Sequence, residues 1–105
     1  MTTKAATSGV TPEGQPWKSI SVSGTAYKVR AITVKESDAA YDAALNPDKT
    51  FNGRLNSRLE LCSAVMEPAT TLDDIETWNV AKLVALLDVY NEVNRLPAAD
   101  AEGND

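Results

Sequence analysis

The sequence predicts a fold of the α+β class, mostly α: an N-terminal β-hairpin, then a small bundle of three main helices plus one short connecting helix, with disordered termini. Three observations carry that expectation. Residues 17–33, WKSISVSGTAYKVRAIT, alternate apolar and polar side chains on either side of a Ser-Gly-Thr turn, the period of a half-buried sheet. Three later stretches place apolar residues three, four and seven apart, the period of a helix. The two ends carry almost no large apolar residue, so neither can offset an ordering cost of roughly 1–2 kcal/mol per residue. The expected organisation is a disordered segment over residues 1–15, one domain over 16–97 and a disordered acidic tail over 98–105.

In the hairpin, Ile20 and Val22 alternate with Ser19 and Ser21, and Tyr27, Val29 and Ala31 alternate with Lys28 and Arg30. A lone hairpin is marginal in water. Its apolar face must rest on helices, or its edge must pair elsewhere. Thr33-x-x-Glu36 has the spacing of a capping box and opens a first helix, VKESDAAYDAAL. Val34, Tyr41 and Leu45 share one of its faces, and Asn46-Pro47-Asp48 stops it.

The second helix spans RLNSRLELCSAVME, with Leu55, Leu59, Cys62 and Met66 as a narrow apolar stripe and Leu61 and Val65 on its flank. Arg58 falls inside the apolar sector. Either its stem lies on the core while its head reaches water, or it pairs with a carboxylate on another helix or a partner. Glu67-Pro68 ends the helix. Thr71 then caps a short connector, LDDIETW, with Asp73 and Asp74 at the positive end of its dipole. The last helix, VAKLVALLDVYNEVNRL, is capped by Thr77 or Asn79 and closed by Leu96-Pro97. Val80, Leu83, Leu87 and Tyr90 form one stripe; Leu86, Val89, Val93 and Leu96 form a second, about 100° away. A helix apolar over so much of its circumference is central in the fold, or it keeps a face for a partner.

The composition narrows the function. Hydrophobic residues make up 43% of the chain, enough for a core. Ten Lys and Arg face fifteen Asp and Glu, a net charge of −5, which argues against nucleic-acid binding. The chain lacks histidine and has one cysteine, so His-based acid–base chemistry, an internal disulfide and a thiolate zinc cage are not expected. Cys62 reads as a small buried hydrophobe. Asp73 and Asp74 diverge on a helix, and the Asp38/Asp42 pair is a weak metal signal. No glycine-rich phosphate loop, signal peptide or membrane span is visible. The expectation is a cytosolic protein that is not an enzyme and needs no cofactor.

The order of elements resembles one family. A hairpin, an acidic helix and an Arg/Leu helix running into V-M-E-P are followed by T-T-L-D-D-I and a leucine-rich helix ending V-Y-N-E-V-N. This resembles the tail assembly chaperones of long-tailed, siphovirus-type bacteriophages, over about residues 17–96 and most strongly over Arg54–Asn94. The resemblance implies a protein that binds and solubilises the tape-measure protein in the host cytoplasm, self-associates around it and is absent from the finished virion. The tail-tube protein and a longer form of the chain made by ribosomal frameshift are further implied partners. No nucleic acid and no membrane is implied. The competing readings are a structural virion component, such as a head–tail joining or tail-tube-associated protein, and an unrelated small helical adaptor. The residues selected for partner contact are Arg58, the second stripe of the last helix (Leu86, Val89 and Val93) and the hairpin edge (Trp17, Ile20 and Val22).

Overall fold

The computed structural model describes residues 7–45 and 52–95. The expected stop at Asn46-Pro47-Asp48, the close at Leu96-Pro97 and the acidic tail therefore lie outside the described residues.

Strands β2 (Pro16–Val22) and β3 (Thr25–Arg30) form the expected hairpin, with Val22 opposite Thr25 and Trp17 opposite Arg30. The turn is two residues long, and both Ser23 (φ 54°) and Gly24 (φ 83°) are left-handed. That geometry matches the right-handed twist of the flanking strands. Tyr27 and Val29 are buried, as the alternation requires.

The sheet is larger than a hairpin. Its order is β1-β2-β3-β4 and every pairing is antiparallel. Strand β1 (Ser8–Val10) lies in the segment expected to be unstructured and pairs with Pro16–Lys18 of β2. A turn closes it: the Gly14 N–H donates to the Thr11 carbonyl at 2.8 Å, and the buried Thr11 hydroxyl accepts from the Gln15 N–H at 3.0 Å. Thr-Pro-Glu-Gly is a turn sequence in its own right, with Pro second and Gly fourth; that signal could have revealed β1. Gly9 faces Trp17 so closely that a Cβ there would stand 2.9 Å from the indole. Only glycine lets this short strand lie against the ring.

The second correction falls on the end of the second helix. Helix α2 (Gly53–Ala64) stops short of Val65-Met66-Glu67, which form strand β4 (Val65–Glu67) beside β3. Pro68 holds the residue before it in extended backbone, and Val65 brings a β-branched side chain into the sheet.

Local capping signals are reproduced in the structure. Helix α1 (Val34–Ala44) opens with the Thr33/Glu36 capping box, and helix α3 (Leu72–Glu76) opens with a second box made by Thr71 and Asp74. Helix α4 (Val80–Arg95) starts at Asn79, whose side-chain Oδ1 accepts from the Lys82 N–H at 2.9 Å. Trp78 stacks edge-on against Tyr27, ring centroids 5.8 Å apart, and the Lys82 ammonium lies over both rings.

Helix α4 crosses the inner face of β2 and β3. The core gathers Tyr27 and Val29 from the sheet, Leu61 and Ala64 from α2, Val65, Ile75, and Leu86, Tyr90 and Val93 from α4. Each such large side chain, fully buried, contributes about 1.5–3 kcal/mol. Lys18 of β2 pairs with Glu92 of α4. The Asn94 side chain accepts from the Ile32 N–H at 3.1 Å and donates to the Tyr90 carbonyl at 2.7 Å, pinning the β3–α1 connection onto α4.

Arg30 and Glu36 form a two-pronged ion pair at 2.8 and 2.6 Å, tying β3 to the first turn of α1. The Arg30 hydrogen bond, aided by the Thr33 N–H, pulls the Glu36 carboxyl from its ordinary 4.5 down to about 2. A value below that of the unfolded chain means stability present above about pH 4.5 and lost as pH falls towards 2. Glu36→Gln is expected to cost about 1 kcal/mol at pH 6, a figure discounted for the partial exposure of the pair. It should cost little at pH 2, so urea midpoints at the two pH values measure the difference.

Candidate interaction surface

Helix α1 does not bury the face its periodicity suggests. Its inward residues are Ala40 and Ala44, whose small side chains bring the helix close to α2. Val34, Tyr41 and Leu45 lie on another sector and are 78%, 46% and 44% exposed. At about 100° per residue, Asp38 and Asp42 border this apolar strip on one side, and both are exposed.

The two stripes of α4 do not divide into an inner and an outer face: Tyr90 of the first is buried beside Leu86 and Val93 of the second. Leu86 and Val93, selected as partner contacts, are 0% exposed and form the centre of the core. Val89 is half-buried and packs on the core's margin. The sheet and α2 cover this stripe, which corrects its assignment to a partner. The first stripe turns outward at its N-terminal end, where Val80 is 74% exposed, and Val84, which belongs to neither stripe, is 48% exposed. Leu83 and Leu87 are half-buried.

Against those leucines stands the N-terminal end of α2. Arg54, Ser57 and Arg58 line a cleft with Leu83 and Leu87. Its volume of about 170 Å³ is below the range of small-molecule sites and suits a few inserted side chains. Among the described residues neither arginine has an ion-pair partner. Arg58 thus lines an open cleft. The expected stripe of α2 is also displaced: Leu55, Leu59 and Cys62 are half-buried and Met66 is exposed, while Leu61 and Ala64 reach the core. Burial pushes the Cys62 thiol up, with Asp74 adding to the effect, so the thiolate is disfavoured.

The edge expected over Trp17–Val22 is covered in its first part, Trp17–Ser19. β1 occupies that side at Pro16–Lys18, and the Ser19 N–H donates to the Thr7 carbonyl at 2.8 Å. Trp17 sits on the outer face with the Lys28 ammonium 4.9 Å from its ring centroid. Ile20 and Val22 pack on the core. The selected residues therefore do not meet on one surface. The residues that sequence reasoning missed are Val80, Val84 and the cleft leucines, and the outward strip on α1.

Behind α1 a polar junction joins three helices. The Glu60 carboxylate accepts from the Ser37 hydroxyl at 2.8 Å, the Asn56 amide at 3.3 Å and the Tyr90 hydroxyl at 2.6 Å. Burial first, and then the carboxylate beside it, push the Tyr90 phenol well above its ordinary range, so it stays a donor.

Among the described residues, no three His, Cys, Asp or Glu side chains gather to hold a metal ion. None of the described helices is long and apolar enough to cross a membrane. Compared with protein-family models, curated proteins and solved structures, the chain matches none.

Proposed function

We propose that the protein is a non-enzymatic tail assembly chaperone of a long-tailed bacteriophage, which binds the tape-measure protein and keeps it soluble. The observation that carries this reading is the outward apolar surface at the start of α4, where Val80 is 74% and Val84 48% exposed. Apolar side chains grouped on helix faces are what a long amphipathic helix can lie against. The net charge of −5 favours solubility of a complex that exposes its remaining polar surface. The order of elements over Arg54–Asn94 supports the same reading by its likeness to that family.

Co-expression with the tape-measure protein of the same genome tests the proposal. The wild-type chain should move that protein from the pellet to the supernatant. The double variant Val80→Asp/Val84→Asp should stay folded, because both positions face solvent, and should solubilise several-fold less. A tape-measure protein equally insoluble with and without the wild-type chain rejects the reading. Recovery of the chain from finished particles would favour a virion component instead.

A further inference from the structure

We propose that copies of this chain bind one another by seating the outer face of α1 in the cleft between α2 and α4. The two surfaces match in chemistry and in spacing. On α1 the strip of Val34, Tyr41 and Leu45 is bordered by Asp38 and Asp42, one helical turn apart and exposed. In the cleft, Leu83 and Leu87 form the apolar wall, and Arg54 and Arg58, also one turn apart, form the cationic one. Both charge pairs are separated by about 6 Å along their helix axes. One α1 laid along the cleft therefore meets both arginines with both aspartates while its apolar strip covers the leucines.

None of the four charges has an ion-pair partner among the described residues of its own chain. In an acidic protein, two adjacent arginines beside an apolar wall suit a carboxylate-bordered apolar helix, and α1 is such a helix. Lys35 stands at the margin of the strip and reduces its acidic excess without cancelling it. Other cations of the chain are engaged within it: Lys18 with Glu92, Arg30 with Glu36, Lys82 over Tyr27 and Trp78. The contact joins two different patches, so each copy offers one α1 and one cleft. Such heterologous contacts build a ring when the rotation closes and a filament when it does not. Val80, one turn before Leu83 on the same face, and Val84, about 60° round the helix from Leu87, are exposed and remain for a client. Self-association by this route is independent of the chaperone reading.

Sedimentation equilibrium of the full chain, with no client present, tests it. The wild type should associate with rising concentration. D38K/D42K and R54E/R58E, each placing like charges across the contact, should each weaken association by roughly 100-fold or more. Mixed in equal amounts, the two variants should associate again, since lysines on α1 of one fit glutamates in the cleft of the other, and the native aspartates and arginines fit in return. Circular dichroism establishes that each variant is folded. If R54E/R58E folds poorly, D38K/D42K decides alone, because its positions are exposed. A wild type that stays monomeric, a folded variant that associates like the wild type, or a mixture of two folded variants that stays monomeric overturns the proposal. A client left insoluble bears on the chaperone reading alone.

Discussion

Leu86→Asp is expected to abolish the fold. Leu86 is 0% exposed at the crossing of α4 over the sheet, among Val29, Leu61 and Val93. A carboxylate there would be unpaired in an apolar site, a cost of several kcal/mol even after relaxation. A domain of this size has a total stability of about 5–10 kcal/mol, so little or none remains. Leu86→Ala should keep the fold and lose about 2–5 kcal/mol, the sum of lost transfer energy and a cavity. The comparison that gives the result its meaning is Val84→Asp, two residues earlier on the same helix. That side chain is 48% exposed, and the change should alter stability by no more than about 1 kcal/mol. Urea melts followed by circular dichroism separate the three variants. A folded Leu86→Asp protein would mean that α4 is seated differently.

Glu60→Ala should be the most costly change to a polar side chain. Its carboxylate receives donors from α1 (Ser37), from its own helix (Asn56) and from α4 (Tyr90). Removing it leaves the Tyr90 hydroxyl, on a residue 8% exposed, with no acceptor at its old position. A hydrogen bond to a charged group contributes about 1.5–3 kcal/mol, and an orphaned buried donor adds its desolvation cost. The expected loss is about 2–4 kcal/mol for Glu60→Ala and about 1–2 for Tyr90→Phe, which removes the donor and leaves the ring. The double variant should lose less than the sum, because both singles break the same bond. A double-mutant cycle in urea measures that coupling; strict additivity would mean that the 2.6 Å contact contributes nothing to stability.

The contrast between Leu86 and Val84 also shows where reading the sequence stopped. Periodicity reports which side chains are apolar, and on α4 nearly every sector qualifies. Which sector faces inward depends on where the sheet lies, and that is a property of the assembled chain. Helix α1 makes the point more sharply. Its large residues Val34, Tyr41 and Leu45 marked one face, yet two alanines marked the buried one. Close packing against α2 rewards small side chains, and a scale that ranks residues by size and apolarity overlooks them.

What the sequence determined by itself was local. The Ser-Gly turn, the capping box at Thr33 and the caps at Thr71 and Asn79 each depend on residues within about four positions of one another. All of them stand in the structure. Only the tertiary structure decided the long-range features: β1 beside β2, β4 beside β3, and the cleft that unites Arg54 and Arg58 with Leu83 and Leu87. Strand pairing draws its hydrogen bonds from backbone groups that every residue carries, so a three-residue strand leaves almost no mark in side-chain pattern. The cleft joins helices separated by a strand, a connector and a short helix, and its chemistry exists only where the fold brings their ends together.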